Sequence, residues 1–353
     1  MGRKGPAVTL EEVAVLTRQL STLLSAGVHV SHALEVIANG ADREPVHDLV
    51  IDLGRFVSQG NYLSNALRKH PAIFPEVYVS LIRIGETSSS LNAALDRLAG
   101  WLERDVATRK RVRAALIYPG FILGMTAVFV FLIFHSVLPG LLKGFEDSRE
   151  PLPWITQAVA WVAALTEKPA LIVGGLIGLV VAVRHLHTFL KTPEGQMQMA
   201  RRLHPLPVVG PLMISLAMSR YCSSMQTMLG AGLNLLQCLD LAAASCGHPL
   251  VAQDLLNAIS EMRSQGVSLV EALEQAEYLP ASAVHLLSAG QESGALDAIY
   301  GNLARYYDDE VAYKIETLGA LIEPALLLMV SLIVGTVLVA VFLPLYSRLG
   351  QMS

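Results

Sequence analysis

Cysteine, aromatic residues and charge are all scarce in this chain of 353 residues. Its three cysteines, Cys222, Cys238 and Cys246, form no CxxC pair and no Cys/His spacing of a zinc site. We therefore expect reduced thiols that are buried as small hydrophobes. Charged residues make up 16% of the chain and hydrophobic residues 53%, a balance that is too apolar for a typical soluble protein.

The common catalytic motifs are also missing. The chain contains no GxxxxGK[ST], no GxSxG and no HExxH. We therefore predict no catalytic residues, no cofactor and no enzymatic activity, and expect any energy source to be another protein. The basic run Arg109–Arg113 is interpreted as a topology determinant that contacts anionic lipid rather than nucleic acid.

What the chain does contain is a repeat, with its copies 205 residues apart. LLSAGVHV at Leu23–Val30 returns as MLGAGLNL at Met228–Leu235, and ALIYP at Ala115–Pro119 returns as ALIEP at Ala320–Pro324. Each ALIxP stretch continues into a long apolar run. The sequence therefore predicts one duplicated unit, a helical domain followed by a membrane helix.

Three stretches are candidates for crossing a membrane, which takes about 20 apolar residues. Residues 114–137 and 320–346 are predicted to be the first and third spans, although Glu323 stands at the mouth of the third. The shorter stretch 169–190 is the second candidate. It is supported by parity, because two homologous domains on one side of a membrane require an even number of crossings between them.

Orientation follows from the basic residues near the span ends. They concentrate before the first span and after the second, and Met1–Ala14 has no apolar signal-peptide core. Domains 1–113 and 191–319 are therefore expected in the cytoplasm. Segment 138–168, with an amphipathic helix, and tail 347–353 are expected on the outer side of the membrane, which makes this a multi-pass membrane protein.

Helical periodicity predicts six short helices in the first copy. The six predictions are Leu10–Ala26, Ser31–Asn39 with Ser31 as its N-cap, Val46–Ser58, Ser64–Lys69, Pro75–Glu86 and a helix that runs from Leu91 into the first span. Gly27 and Gly85 are interpreted as helix C-caps, and Gly232 and Gly290 as their counterparts. The expected fold is an all-α membrane protein with two homologous six-helix bundles and three spans.

The two copies differ in charge. Residues 1–113 carry 14 basic and 12 acidic residues, whereas residues 216–319 carry 4 basic and 12 acidic. The charged residues could simply be exposed to water. Alternatively, the copies dock on different partners or on each other, since charge governs the specificity and the rate of encounter.

Four stretches carry a family resemblance: LTRQLSTLLSAGVHVSHAL, LSNAL, FPEVYVSLIRIGETSSSLNAAL and ALIYP. They resemble the signature stretches of the type II secretion F-protein family, the inner-membrane platform proteins of type II secretion systems and type IV pili. The resemblance covers about residues 10–346, and it implies that the membrane is the bacterial inner membrane, with segment 138–168 and tail 347–353 in the periplasm. It implies a role in which a cytoplasmic hexameric ATPase drives pilin or pseudopilin subunits out of the membrane. The implied partners are that ATPase, other platform proteins, pilins or pseudopilins, lipid and further copies of the chain.

The chain departs from the family at one turn. The G-E-x-S-G motif lacks its last glycine in the first copy, Gly85-Glu86-Thr87-Ser88-Ser89. The second copy has Gln in place of Glu, in Gly290-Gln291-Glu292-Ser293-Gly294. The acidic residues of this turn, Glu86 and Glu292, and the separate acidic run Asp308-Asp309-Glu310 could bind a divalent cation through oxygen, or could serve as helix caps and solvated helix surface.

Glu323 is the carboxylate that most favours a functional interpretation. Charge at the mouth of a span is costly and often functional. Its counterpart in the first copy is Tyr118, and both precede a proline, Pro324 and Pro119, that can kink a helix. Either Glu323 pairs with a basic group of another subunit or substrate helix, or it stays at the water interface.

A small-solute transporter or channel subunit is the alternative function, because internal repeats are common in transporters. Against it, these repeats share one orientation and supply one span each, and no pair of broken helices is evident. The platform protein is therefore the favoured interpretation.

Overall fold

The computed structural model describes residues 8–133 and 192–351, with isolated positions between 135 and 190. Thirteen α-helices and no strands occur in this described part, which confirms the all-α prediction there. The predicted periplasmic segment 138–168 and second span 169–190 fall, apart from those isolated positions, outside the described residues. The three-span count therefore stays a prediction.

Six helices form the first copy, and their ends agree with the predicted ones to within two residues. They are α1 (Leu10–Ser25), α2 (Val30–Asn39), α3 (Glu44–Ser58), α4 (Leu63–Leu67), α5 (Glu76–Thr87) and α6 (Leu91–Leu132). One predicted cap is wrong. The N-cap of α2 is His29, whose side chain accepts a hydrogen bond from the Ser31 N–H at 3.4 Å, so Ser31 lies inside the helix.

The second copy repeats this order after one additional helix, α7 (Pro193–Leu203). Its six helices are α8 (Val209–Gly230), α9 (Leu235–Ser245), α10 (Pro249–Gln265), α11 (Leu269–Leu273), α12 (Ala281–Ser293) and α13 (Leu296–Gln351). Helices α8 to α13 correspond to α1 to α6 in order, so the duplication read from the sequence is also a duplication of structure.

Local signals explain where the first helix begins and ends. Thr9 and Glu12 form a capping box, in which the Thr9 hydroxyl accepts the Glu12 N–H and the Glu12 carboxylate accepts the Thr9 N–H at 2.7 Å. After α1, Gly27 has a φ of +83°, and Gly232 has a φ of +85° after α8. Glycine adopts this left-handed conformation without a Cβ penalty, so both predicted terminators are confirmed.

The buried apolar side chains of the two copies form one cluster. Leu34 and Leu98 are at most 1% exposed, and their counterparts Leu239 and Leu303 are at most 2% exposed. The buried polar contacts differ between the copies: the Thr17 hydroxyl contacts the Tyr78 hydroxyl at 3.0 Å in the first, and two other residues, Tyr221 and Tyr300, meet at 2.8 Å in the second. The copies therefore share core leucines but complete their cores with different polar pairs.

All three cysteines are buried in the second copy as free thiols, as predicted. Burial raises the pKa of the Cys238 thiol to about 12, and it also raises the pKa of Cys222 and of Cys246, so the reactive thiolate is suppressed at neutral pH. We expect maleimide at pH 7.5 to label none of them in the folded chain and all three in urea. The mass of the treated chain measures the labelling, and a labelled chain in the absence of urea would contradict this burial.

The chain divides into two compact units. The first contains Met1–Arg111 and Ala200–Lys314, and so holds both copies of the helical domain. The second contains Val112–Met199 and Ile315–Ser353. Two of its described segments belong to helices that are long and apolar enough to cross a membrane, Leu91–Leu132 and Leu296–Ala340, and almost none of their apolar length is buried in the protein. Such exposed apolar surface is unusual for a soluble monomer and is what lipid would cover.

Candidate functional site: the turn after the fifth helix and the contact between the copies

Gly85 does not end a helix, which corrects the sequence prediction. It lies inside α5, where a Cβ would stand 2.7 Å from the Cβ of Ala94 and 3.0 Å from the Cα of Leu91 on α6. Gly290 is equivalent in α12, and a Cβ there would stand 2.8 Å from Cγ1 of Ile299. Both glycines are needed because α5 and α6, and likewise α12 and α13, cross too closely for any side chain.

Glu86 caps a neighbouring helix. Its carboxylate accepts hydrogen bonds from the Leu63 N–H at 2.5 Å, the Ser64 N–H at 3.3 Å and the Ser64 hydroxyl at 2.5 Å. Leu63 and Ser64 are the first residues of α4, whose N-cap Tyr62 supplies no side-chain bond. A carboxylate at this position satisfies orphan N–H groups and complements the positive end of the helix dipole.

The glutamine of the second copy fits the same geometry. Gln291 Oε1 accepts the Val270 N–H at 3.4 Å, at the start of α11. That helix carries its own capping box, because Ser268 and Glu271 bond each other's backbone N–H groups. The local box takes over most of the capping, which explains why the charge of Glu86 is dispensable in the second copy.

The missing last glycine leaves a strained residue. Ser89 follows α5 with a φ of +54°, and its counterpart Gly294 follows α12 with a φ of +70°. Both turns close in the same way, with Ser90 N–H donating to Gly85 O at 2.9 Å and Ala295 N–H donating to Gly290 O at 3.0 Å. Left-handed backbone costs a residue with a Cβ roughly 1–2 kcal/mol, so Ser89 strains this turn.

We expect Ser89→Gly to raise the free energy of unfolding by about 0.5–1 kcal/mol, since relief of strain outweighs the added entropy of the unfolded chain. Trp101 is the one tryptophan of the first copy, so its fluorescence in urea, with Trp154 and Trp161 replaced by Phe, reports the unfolding of this domain together with its contact with the second copy. The reverse change, Gly294→Ser, should destabilise the second copy by a similar amount. An unchanged or lowered urea midpoint for Ser89→Gly would contradict the strain.

An ion pair joins the two copies. Arg220 Nε on α8 donates to Asp105 Oδ1 on α6 at 3.2 Å, and Arg109 Nε donates to the other oxygen, Oδ2, at 3.0 Å. The Asp105 side chain is only 14% exposed. The copies therefore dock on each other. The acid of this pair belongs to the first copy and the base to the second, so the pair does not account for the acidic excess of the second copy.

The same contact continues along both surfaces. A cavity of about 290 Å³ is lined by Glu76, Trp101 and Asp105 of the first copy and by Arg220, Leu241 and others of the second. Further along, a Cβ added to Gly230 of α8 would lie 3.2 Å from an Arg97 guanidinium nitrogen of α6. The α5–α6 surface of the first copy thus packs on the α8–α9 surface of the second.

The other candidate acidic residues have separate partners. The Ser219 hydroxyl donates to Asp308 at 2.5 Å, and Lys314 pairs with Glu310 at 2.8 Å, whereas Asp309 and Glu292 are exposed. Among the described residues, no group of three or more His, Cys, Asp or Glu side chains could hold a metal ion. The geometry assigns Asp308 and Glu310 to contacts within the second copy.

Tyr118 and Glu323 lie on the two long helices of the second unit. Each is followed by its proline, Pro119 in α6 and Pro324 in α13, and neither proline ends the helix. Glu323 is exposed, with large exposed side chains close by on α13, such as Leu327 at 60%. A carboxylate therefore stands on an apolar, exposed stretch.

Asp105, Arg220 and Ser89 are the residues that sequence reasoning missed. The pair spans 115 residues and breaks no local pattern, so no signal in the sequence points to it. Ser89 could have been found, because it aligns with Gly294 across the repeat.

These features define a class of protein: a duplicated helical chain whose copies pack together and continue into long apolar helices. The model of the family "Type II secretion system (T2SS), protein F" matches residues 16–139 and again residues 221–344. The two matches are offset by the same 205 residues as the repeat. The chain therefore belongs to the type II secretion system protein F family.

Curated relatives cover almost the whole chain. It is 33% identical to the type 4 fimbrial assembly protein PilC of Pseudomonas putida, over 96% of this chain and 84% of the relative. It is 29% identical to the type IV pilus assembly protein PilC of Pseudomonas aeruginosa, over 98% of this chain and 92% of the relative. It is also 27% identical to the type II secretion system protein F of Pseudomonas aeruginosa, over 96% of this chain and 83% of the relative.

Proposed function

We propose that this chain is a non-enzymatic platform protein of a type IV pilus assembly machine in the bacterial inner membrane. The observation that carries the proposal is the family match over both copies. The pilus branch is favoured by identity, because five relatives named for pilus or fimbrial assembly are 26–33% identical and three named for type II secretion are 24–27% identical.

The proposed arrangement keeps domains 1–113 and 191–319 in the cytoplasm and spans at 114–137, 169–190 and 320–346. In it, the cytoplasmic domains receive a hexameric ATPase, and the spans contact the apolar helices of pilin subunits. The protein then couples the motor to extrusion of pilins from the membrane. Two apolar helices with little burial support the part of this proposal that concerns the membrane.

Deletion of the gene tests whether the protein serves pilus assembly or type II secretion. We expect loss of surface pili and normal export of secreted enzymes, and restored pili when the full chain is supplied in trans. Lost secretion with normal pili would move the protein to the secretion branch. Normal results in both assays would overturn the proposal.

The proposed contact with the ATPase can be tested at two equivalent positions, one in each copy, that carry opposite charges. Glu274 follows α11 and Arg68 follows α4, both are exposed, and they occupy matching places in the repeat. Since the second copy is the strongly acidic one, we propose that it faces the ATPase. A photocrosslinking amino acid at position 274 should capture the ATPase, and the same group at position 68 serves as the matched control. Capture only of unrelated proteins at both positions would remove the ATPase from the proposal.

A further inference from the structure

A second, much smaller cavity lies where the two copies meet. Its lining includes the ion pair Asp105 and Arg220 together with Trp101, and these three residues also line the cavity of about 290 Å³. The small cavity therefore adjoins the large one. It offers about 10 Å³ to the centre of a water-sized sphere, which is about the room that one water molecule needs.

Two residues that line the small cavity carry a buried polar atom without a hydrogen-bond partner in the described part of the chain. These atoms are Nε of Arg104, on α6 of the first copy, and the hydroxyl oxygen of Ser223, on α8 of the second. Ser223 is 5% exposed, so bulk water does not reach its hydroxyl. Native proteins pair nearly all such groups with protein or with ordered water, because an unsatisfied buried donor is costly. Each copy thus brings to this cavity one polar atom that needs a partner.

Ser223 belongs to a stripe of buried serines on α8 with a spacing of four residues. The first member, Ser215, accepts a hydrogen bond from Lys314 Nζ at 2.7 Å, and the second, Ser219, donates to Asp308 at 2.5 Å. Residues of α13 therefore satisfy the first two hydroxyls. At the third, Ser223, the small cavity takes the place of a partner.

The charges around this cavity favour a neutral occupant. Arg104 and Arg220 would repel a cation, and Asp105 and Asp308 would repel an anion. A water molecule is neutral, and it can both accept and donate hydrogen bonds between protein groups. We propose that one water molecule binds in this cavity, where it accepts from the Arg104 Nε–H and forms a hydrogen bond with the Ser223 hydroxyl.

This water is a bridge between the two copies. It links α6 of the first copy to α8 of the second, beside the direct pair of Asp105 and Arg220. Such a bridge is enthalpically nearly as favourable as a direct hydrogen bond. The site is built from residues of this chain alone, so its test reads out hydration of one position and does not depend on the ATPase or on pilins.

Radiolysis of the full chain by a short X-ray pulse tests whether the cavity holds water. The pulse converts water into hydroxyl radicals, which oxidise a thiol that lies beside them. We expect the new thiol of Ser223→Cys to be oxidised roughly fivefold faster than that of Ser224→Cys, as measured by tandem mass spectrometry. Ser224 is the matched control, because it is the next residue of α8, is 0% exposed and does not line the cavity. Cys222 is 0% exposed and gives the background in both variants.

The two rates have distinct meanings. Slow oxidation at positions 223 and 224 would overturn the proposal, because a cavity that is dry or holds only an ion supplies no radical there. Fast oxidation at both positions would also overturn it, since bulk water would then reach this part of α8.

Valine at position 223 gives a second measurement that needs no radicals. Ser223→Val places a methyl group where the water would lie and leaves the Arg104 Nε–H without an acceptor. The urea midpoint of Trp101 fluorescence, with Trp154 and Trp161 replaced by Phe, should therefore fall. Adding Arg104→Met removes the donor and should restore about half of the shift or more, because replacing both polar partners by apolar groups is nearly neutral.

Two results of this measurement would contradict the bound water. A midpoint that stays or rises in Ser223→Val would mean that the methyl group fills an empty cavity. A double variant with no recovery would mean that valine is simply too large for this position.

Discussion

Replacing Gly85 by alanine is expected to lower the free energy of unfolding of the first copy by about 1–3 kcal/mol, the usual cost of overpacking. The added Cβ would lie 2.7 Å from the Cβ of Ala94, which cannot rotate away, and 3.0 Å from the backbone of Leu91. Alanine favours a helix over glycine by roughly 0.5–1 kcal/mol, so the loss appears despite that gain. Urea unfolding followed by Trp101 fluorescence measures it.

Gly100 provides the matched control. It also lies inside α6, but a Cβ there would meet nothing within 4 Å. Gly100→Ala should therefore stabilise the same domain by about 0.5–1 kcal/mol through helix propensity alone. If Gly85→Ala and Gly100→Ala shift the urea midpoint in the same direction, the close crossing of α5 and α6 is not what requires glycine at position 85.

Glu323→Leu is expected to abolish pilus assembly while the amount of protein in the membrane stays unchanged. We propose that the carboxylate pairs with a basic group of another subunit or of a pilin helix, since an unpaired charge on an exposed apolar helix is costly in a membrane and such charges are often functional. Leucine removes the pairing and favours insertion, so the protein itself should persist. Counting surface pili against membrane protein level separates the two effects.

Two further variants sharpen this test. Glu323→Asp keeps the charge and should retain a large part of pilus assembly. Glu323→Gln keeps the size without the charge and should lose about as much pilus assembly as Glu323→Leu. Normal piliation in Glu323→Leu would leave the residue with no role beyond the water interface. A fall in protein level would assign it to insertion instead.

Helix positions could be predicted from this sequence because their signals are local. The apolar spacing, the capping box of Thr9 and Glu12 and the left-handed Gly27 each act within a few residues. The repeat added a second copy of the glycine signal, Gly232, but not of the capping box, so the boundary signals of the first copy are mostly its own. Because these signals are local, the predicted helices of the first copy end within two residues of the observed ones.

The roles of Gly85 and Glu86 could not be predicted because they depend on tertiary contacts. A glycine near a helix end resembles a C-cap in sequence, and only the structure places Ala94 against it. Glu86 caps a helix that begins 23 residues earlier, a contact that no local motif encodes. The pairing of Asp105 with Arg220 is still more distant in sequence.

Reversal of the Asp105–Arg220 pair tests most directly the central claim, that the two copies act as one packed scaffold in pilus assembly. Asp105→Arg alone places like charges together, and Arg220→Asp alone does the same, so each should reduce surface pili strongly. The double variant restores the attraction in reverse and should recover most of the pili. Single variants with a normal number of surface pili would contradict the account. So would a double variant with as few surface pili as the worse of the two single variants.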